Sequence, residues 1–250
     1  MITMGNYIDG AARTGGGHTR VLRDPATGEP AGEVAEGTPA DVAEATAAAG
    51  RAFDDWSART PGERARVLLR LADLIEADVD ELTRLEVTQT GKPRPVFADG
   101  ELPFGADNLR FFAGSARSLE GTGAGVLSKG YTSLLVRRPL GVVAGIAPWN
   151  FPLVMAIWKV GPALAAGNTM VIKPAPATPG TTLRLAELAV EAGLPVGALN
   201  VVTGGADVGT ALVNDPSVQL VSVTGSTATG QAVMAAAAQS ATRVHLELGG

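Results

Sequence analysis

Short apolar runs alternate with longer amphipathic segments through the second half of the chain. Apolar runs of about four to eight residues are typical of buried strands, and apolar residues at helical spacing are typical of helices. The predicted strands cover residues 142–147, 169–173, 198–202, 218–223 and 243–248. Predicted helices follow them at 152–167, 181–192, 206–214 and 226–238. This alternation favours βαβ units, and therefore an α/β fold with a Rossmann-like, mainly parallel sheet and flanking helices.

The first half of the chain predicts hairpins followed by helices. Turn-forming residues at 7–10 and at 24–29 adjoin strand-like runs, which indicates two hairpins. The helices that apolar spacing predicts cover residues 38–56, 60–90 and 101–116. Glycine-rich residues 121–125 predict a flexible link. Residues 131–138 predict a strand that lies outside the main sheet, in an arm.

Composition and charge exclude several classes of protein. The chain has 250 residues, of which 46% are hydrophobic, and a formal net charge of −5. No basic cluster interleaved with aromatic residues occurs, so we expect no nucleic-acid partner. The amino-terminal residues lack the apolar core of a signal peptide, and no window suits a membrane span, so we expect a cytoplasmic location. There is no cysteine, which excludes disulfides and thiolate chemistry within these residues.

Polar side chains follow the first two predicted strands of the sheet. Asn150 comes shortly after the first strand, and Lys173 ends the second. The carboxyl ends of parallel strands face the ligand crevice in an open α/β sheet, so both residues are candidates for chemistry or binding. A lysine at this edge could bind ribose hydroxyls or a phosphate. The alternatives are that Asn150 bonds the backbone of its own turn and that Lys173 is solvated.

Glycine motifs follow the third and fourth strands. Gly225-x-Thr227-x-x-Gly230 is a relative of the dinucleotide-binding fingerprint, with threonine in place of the central glycine. Gly225 would let the backbone approach a phosphate at the helix N-terminus, where the Ser226 hydroxyl could donate to an oxygen. Gly230 would let the helix pack close to the sheet. The alternative is an ordinary turn in which Ser226 or Thr227 caps the helix. Gly204-Gly205-x-x-x-Gly209 is a second candidate phosphate loop.

A carboxylate lies inside the last apolar strand. Glu247 would be costly to bury unless it were paired or had a raised pKa, so it is a candidate general base. The alternative is a structural acid whose hydrogen bonds are satisfied. His245 alternates with Glu247 on one strand face, so a dyad is conceivable, although a lone strand histidine is more often structural.

Five motifs occur in order along the chain. They are Pro148-Trp149-Asn150-Phe151-Pro152, Gly161-Pro162-Ala163-Leu164-Ala165-Ala166-Gly167-Asn168, Lys173-Pro174, Thr224-Gly225-Ser226-Thr227-x-x-Gly230 and Leu246-Glu247-Leu248-Gly249-Gly250. Together they resemble the aldehyde dehydrogenase superfamily. The resemblance covers essentially the whole chain, because the predicted amino-terminal helices and Gly91-Lys92-Pro93 are also similar to that family. It implies NAD(P)-dependent oxidation of an aldehyde to a carboxylic acid, in which a cysteine thiolate attacks the aldehyde.

The resemblance also implies roles for individual residues. Asn150 would donate its amide N–H to the substrate oxyanion, and Glu247 would be the general base that activates water. Lys173 would hold the adenosine ribose, and Ser226 would contact the pyrophosphate. The cofactor would be NAD or NADP, and the residues predicted to bind it are Ile146, Trp149, Lys173, Gly209, Gly225, Ser226, Gly230 and Leu248. No metal site is expected.

Three regions follow from pattern and resemblance together. Residues 1–120 would be an amino-terminal segment of hairpins and helices that packs on the cofactor domain. Residues 121–140 would be part of a β oligomerisation arm, and residues 141–250 would be the Rossmann-like dinucleotide-binding region. The family suggests a homodimer or homotetramer with an aldehyde as the small-molecule partner.

Two departures from the family pattern change the expectation. Many NAD-preferring relatives have a glutamate three positions after the lysine, where this chain has Pro176, so repulsion of a 2′-phosphate is reduced and NADP should be tolerated. The family's nucleophilic cysteine lies beyond the Glu-Leu-Gly-Gly motif and is absent here. We therefore expect these residues to be a truncated portion of an enzyme, without the catalytic cysteine domain, and inactive alone.

Two other functions remain open at this stage. The chain could be a nucleotide-binding or interaction module without catalysis. It could also belong to a coenzyme A-dependent acylating relative, although a water-activating glutamate at 247 favours hydrolysis. The sequence does not determine which aldehyde is oxidised.

Overall fold

The computed structural model describes residues 2–119 and 123–249. The strands within these residues are β1 (Ile2–Met4), β2 (Asn6–Ile8), β3 (Ala11–Arg13), β4 (Thr19–Arg23), β5 (Pro30–Ala35), β6 (Gly125–Ser128), β7 (Tyr131–Ser133), β8 (Val142–Ile146), β9 (Thr169–Lys173), β10 (Leu199–Val201), β11 (Val218–Gly225) and β12 (Arg243–Leu248). The helices are α1 (Pro39–Ala58), α2 (Pro61–Ala77), α3 (Val79–Thr90), α4 (Leu102–Ser115), α5 (Pro152–Ala165), α6 (Gly180–Glu191), α7 (Ala206–Asn214) and α8 (Thr227–Ala237). A π-helical segment, Val96–Glu101, precedes α4, and a 3-10 turn, Ala116–Ser118, follows it.

A seven-stranded sheet organises the molecule, in the order β12-β11-β8-β9-β10-β2-β3. The five strands from β12 to β10 are parallel to their neighbours, which confirms the predicted Rossmann-like, mainly parallel sheet. The hairpin β2–β3, whose turn was predicted at residues 7–10, joins the sheet antiparallel at the β10 edge. The sequence pattern predicted this hairpin but not the sheet to which it belongs.

The sheet has a separate hydrophobic core on each face. Residues of α2, α4, α5 and α6 pack on one face with Val143, Met170 and Ile172. Residues of α1, α7 and α8 pack on the other face with Ala144 and Val171. Adjacent residues of one strand point to opposite faces, so each strand contributes to both cores. Polar residues near the strand ends are divided in the same way: Lys173 lies on the α7 face, and Glu247 lies on the α5 face.

The single helix predicted from Thr60 to Gly91 is wrong, because the structure has two helices there. The predicted N-terminus is confirmed, since Thr60 caps α2. The predicted end is confirmed too, since Gly91 caps α3 in the left-handed conformation. Asp78 interrupts the helix between them, and its carboxylate accepts hydrogen bonds from Arg184 of α6 at 2.7 and 3.2 Å. No glycine or proline marks this break, so local spacing could not reveal it.

Two smaller sheets lie outside the main sheet. β1, β5 and β4 form one, with β4 and β5 antiparallel around the turn predicted at 24–29. β6 and β7 form the other, which confirms that this segment lies outside the main sheet. The strand predicted over 131–138 is shorter and covers only Tyr131–Ser133. The predicted link at 121–125 lies partly outside the described residues. No helix in the described ranges combines the length and apolarity that crossing a membrane requires.

Candidate functional site

Asn150 lies in a bend between β8 and α5, at the carboxyl edge of the sheet. Pro152 begins α5, as expected for a proline in the first turn of a helix. Asn150 and its neighbour Trp149 are exposed. Within the described part of the chain, the Asn150 side chain makes no hydrogen bond, whereas its carbonyl oxygen accepts one from Lys92 Nζ at 3.1 Å. The alternative, a turn in which Asn150 bonds its own backbone, is therefore not formed within the described residues, and the amide is available to a ligand.

Lys173 ends β9 with its side chain buried, so the alternative of a solvated lysine is wrong. Its ammonium donates to the carbonyl oxygens of Pro174 at 2.9 Å and Gly204 at 3.0 Å. Burial lowers the pKa of Lys173 to about 8, although the negative charges of Glu36 and Asp207 oppose the shift. An ammonium has three N–H donors, so two are used by these carbonyls.

A cleft of about 540 Å³ opens beside Lys173, between α7 and α8. Ile146, Lys173 and Gly209 line it, so the structure brings together three of the predicted cofactor residues. Pro176 lies on the same wall. A Cβ built on Gly209 would lie 3.6 Å from Lys173 Cε, an ordinary contact, so packing against the lysine does not require a glycine there. Glycine instead leaves the wall of the cleft open at that point.

The other predicted cofactor residues lie around the ends of β11 and β12. Ser226 is the N-cap of α8, and its hydroxyl accepts from the Thr229 N–H at 3.2 Å. This confirms the structural alternative for Ser226, while its contact with a pyrophosphate stays a prediction. A Cβ on Gly230 would lie 2.5 Å from Leu248 Cδ1, so glycine permits the close approach of α8 to β12. Thr229 lines the cleft, whereas Trp149, Gly225, Ser226, Gly230 and Leu248 are outside its lining.

Glu247 belongs to a hydrogen-bonded network on the α5 face of the sheet. Its carboxylate accepts from Thr224 Oγ1 at 2.9 Å, and Thr224 Oγ1 accepts from Lys159 Nζ at 2.8 Å. Lys159 Nζ also donates to Ser222 Oγ at 3.2 Å, and Ser222 Oγ lies 3.1 Å from His245 Nδ1. The conceivable His245–Glu247 dyad is therefore not formed. The two residues are connected only through two hydroxyls and a lysine.

Lys159 is the site residue that the sequence reasoning missed. It is buried, and burial lowers its pKa to about 8, opposed by the negative charge of Glu247. A signal was present, because Lys159 is the one charged residue in the apolar helix α5. A charge on a buried helix is costly, which makes such a residue worth examining. Among residues 2–119 and 123–249, no group of three or more histidines, aspartates or glutamates could hold a metal ion.

A parallel α/β sheet with a cleft and polar residues at its carboxyl edge is typical of nucleotide-binding enzymes. Residues 13–250 match the model of the aldehyde dehydrogenase family. The chain therefore belongs to the aldehyde dehydrogenase family, which confirms the resemblance.

Individual relatives differ in the aldehyde that their names give. A betaine aldehyde dehydrogenase of Cereibacter sphaeroides is 48% identical over 226 residues, which are 90% of this chain and 46% of that protein. A phenylacetaldehyde dehydrogenase of Pseudomonas fluorescens is 50% identical over 238 residues, which are 91% of this chain and 47% of that protein. Among solved structures, the chain is similar to a crystal structure of betaine aldehyde dehydrogenase from Staphylococcus aureus in complex with NAD+, with a TM-score of 0.95 and 37% sequence identity. The matched region is 100% of this chain and 50% of the Staphylococcus chain. The chain thus spans about half the length of the curated relatives it matches.

Proposed function

We propose that this protein takes part in the NAD(P)-dependent oxidation of an aldehyde to a carboxylic acid. In this proposal, the chain supplies the cofactor cleft, the oxyanion donor and the general base. The observation that carries the proposal is the presence of Asn150 and Glu247 at the carboxyl edge of one parallel sheet, in a member of the aldehyde dehydrogenase family.

Asn150 is proposed to stabilise the oxyanion that develops when a nucleophile attacks the aldehyde. Its side-chain amide is exposed and makes no hydrogen bond within the described residues, so it can donate to a substrate oxygen without first losing a partner. A donor that is in place before reaction costs no reorganisation in the transition state. Removing such a donor typically lowers kcat by about 10²–10³-fold.

Glu247 is proposed to be the general base. Its carboxylate is partly buried and accepts a hydrogen bond from Thr224 through one oxygen, Oε2. The other oxygen, Oε1, accepts no hydrogen bond within the described residues and can accept a proton from water. The alternative is a structural acid whose protein partner is Thr224.

The cofactor cleft suits a dinucleotide by size and by chemistry. Lys173 has one N–H donor beyond the two that bond to carbonyl oxygens, and it can be directed to a ribose hydroxyl. The remaining predicted contacts, with Ile146, Trp149, Gly209, Gly225, Ser226, Gly230 and Leu248, belong to the same proposal. When bound, the nicotinamide cofactor accepts the hydride from the aldehyde carbon. Because Pro176 offers no negative charge at the cleft wall, we propose that the cleft tolerates NADP in addition to NAD.

The nucleophile is not among these 250 residues, since they contain no cysteine. We therefore predict that a pure sample of this chain shows no aldehyde oxidation that is sensitive to thiol reagents. The second candidate function is a module that binds the nucleotide without catalysis. It requires a stable chain with a covered apolar surface and measurable cofactor binding.

The β6–β7 hairpin offers a surface for assembly. Exposed apolar side chains on the β6–β7 hairpin, Val126, Leu127 and Tyr131, are suited to contact another subunit. We propose a homodimer or homotetramer in the cytoplasm, which light scattering and cell fractionation test. Betaine-type and arylacetaldehyde substrates are the first to examine, given the names of the relatives.

The first experiment is isothermal titration of this chain with NAD and NADP. Binding with a measurable Kd supports the cofactor role, and absence of binding by folded protein contradicts it. The second experiment measures aldehyde oxidation by the longest natural protein that carries this sequence. Binding of NAD without oxidation of any aldehyde would favour the non-catalytic module.

A further inference from the structure

Lys92 connects three other parts of the chain through one ammonium group: α3, the π-helical segment and the bend at 149–151. Its Nζ lies 3.1 Å from Glu86 Oε1 in α3 and 2.6 Å from Glu101 Oε2 at the end of the π-helical segment. It also donates to the carbonyl oxygen of Asn150 at 3.1 Å. A lysine ammonium has three N–H donors, so these three oxygens use all of them. Two aromatic rings also face Nζ: the centroid of Phe151 lies 4.9 Å away and that of Phe97 5.9 Å away.

The Lys92 cluster is buried, which makes its geometry specific. The Glu86 side chain is fully buried, and the side chains of Lys92 and Glu101 are only 11% exposed. Burial raises the pKa of Glu86, opposed by Lys92 and by a hydrogen bond from Thr181 Oγ1 at 2.7 Å. Charged groups taken out of water are tolerated only with good partners, so the positions of these side chains are tightly constrained.

Asn150 has few other restraints. The bend at 149–151 belongs to neither β8 nor α5, and no hydrogen bond to Asn150 other than that from Lys92 is found within the described residues. Phe151 is tied to the first turn of α5 through its carbonyl, which accepts from the Met155 N–H at 2.9 Å. The peptide that carries the Asn150 side chain is thus held from one side by the Lys92 ammonium.

We propose that Lys92 is a positioning residue that sets the backbone of Asn150, and through it the direction of the Asn150 amide. The proposal rests on the function proposed above for Asn150. Lys92 does not touch substrate or cofactor in this role. Misplacement of a reacting or stabilising group by about 1 Å can cost about a hundredfold in rate, so a loss of this contact should be visible in kcat.

The test compares Lys92→Met with Arg94→Met as a matched control. Arg94 lies in the same segment and pairs with Asp80 at 2.7 Å, but it has no contact with Asn150. Tryptophan residues labelled with fluorine report the local structure by NMR, since the chain has three, Trp56, Trp149 and Trp158. In this chain, Lys92→Met should shift or broaden the Trp149 signal and leave that of buried Trp56 in place. Arg94→Met should change neither signal.

Kinetics in the longest natural protein that carries this sequence give the second readout. Lys92→Met should lower kcat by about 10–100-fold, with a smaller change in the Kd for NAD, because the displaced bend carries the oxyanion donor and Trp149 supplies only one of several proposed cofactor contacts. Lys92→Arg should restore part of kcat because it keeps the charge. If Lys92→Met fails to fold, the double variant Glu101→Gln/Lys92→Met is compared with Glu101→Gln instead. In the double variant only Glu86 loses its charged partner, because Glu101 has been neutralised.

Four results would overturn the proposal or separate it from the proposed function. An unchanged Trp149 signal in a folded Lys92→Met variant would make Lys92 an ordinary ion-pair partner, and so would an unchanged kcat. An equal loss of kcat in Arg94→Met would assign the effect to stability and also refute the proposal. A shifted Trp149 signal in a protein that oxidises no aldehyde would support the positioning of Asn150 and refute the proposed function.

Discussion

Two buried lysines, Lys159 and Lys173, lie on opposite faces of one sheet and have different neighbours. Burial lowers the pKa of each to about 8. Lys173 lies beside the α7 cleft and bonds to backbone carbonyl oxygens. Lys159 lies on the α5 face and bonds to the hydroxyls of Ser222 and Thr224. The burial is similar, but the acceptors are chemically different.

The acceptors decide what each lysine can do. A carbonyl oxygen only accepts, so Lys173 is held in place and keeps an N–H for a ligand. A hydroxyl both accepts and donates, so Thr224 joins Lys159 to the carboxylate of Glu247 in one hydrogen-bonded chain. Lys173 is therefore suited to binding, and Lys159 is coupled to the proposed base. Four predictions test this difference.

The largest effect is expected on the α5 face, at Glu247, where the hydrogen-bonded series from Lys159 through Thr224 ends. Glu247→Gln removes the proposed base and should lower kcat by about 10²–10⁴-fold in the longest natural protein that carries this sequence. Thr224→Val breaks the link to Lys159 and should cost less, because the carboxylate remains. Steady-state kinetics with an aldehyde and NAD measure both. Full activity of Glu247→Gln would remove Glu247 from the mechanism.

The second effect concerns binding in the α7 cleft. Lys173→Met should weaken NAD binding by about 10–100-fold, which is the loss of one charge-assisted hydrogen bond of about 1.5–3 kcal/mol. Lys159→Met should leave the Kd within about twofold, because it lies on the other face. Isothermal titration of this chain gives both values. Equal weakening by the two substitutions would contradict the distinction between the lysines.

The third effect is a pH dependence of stability. Below pH 8 Lys159 is charged in both states, and folding carries the cost of burying that charge. Between about pH 8 and the ordinary lysine pKa of about 10.4, the folded state has lost the proton that the unfolded state still binds, so stability rises with pH. Compared with Lys159→Met, the wild-type chain should gain about 1–2 kcal/mol across this window.

Urea unfolding at pH 7.5 and pH 10 measures that gain. Lys173 is present in both proteins, so its own titration contributes equally and cancels in the comparison. The two proteins could instead differ by the same free energy of unfolding at pH 7.5 and at pH 10. That result would show that Lys159 is not held in the buried state that the structure describes.

The smallest effect concerns the choice between cofactors. The wild-type chain should prefer NAD over NADP by less than about a hundredfold, or ~2.7 kcal/mol. Pro176→Glu adds a negative charge to the cleft wall and should raise that preference by about five- to tenfold through repulsion of the 2′-phosphate. Dissociation constants for both nucleotides measure it. A wild-type preference beyond about a hundredfold would contradict the role given to Pro176.

The alternation of strands and helices could be predicted from the sequence because it depends on local spacing. β9 and β12 have the predicted bounds, and α7 does as well. No local signal predicted the break at Asp78, whose carboxylate accepts hydrogen bonds from Arg184, more than a hundred residues later along the chain. The motifs that resemble the family also follow from the sequence, and Asn150, Lys173 and Glu247 were candidates before any contact was known.

The sequence by itself determined the alternation of strands and helices over residues 141–250, the sheet type and the family, because these depend on periodicity and on motifs of neighbouring residues. Only the tertiary structure decided which polar side chains are buried and what they bond. Lys159 meets Thr224 because β11 lies beside β8. Lys92, which follows α3, meets Asn150, which follows β8, only in the folded chain. These partners are distant in sequence, so no local pattern records them. The partners then fix where a buried charged side chain lies, since a buried charge is stable only where its hydrogen bonds are supplied.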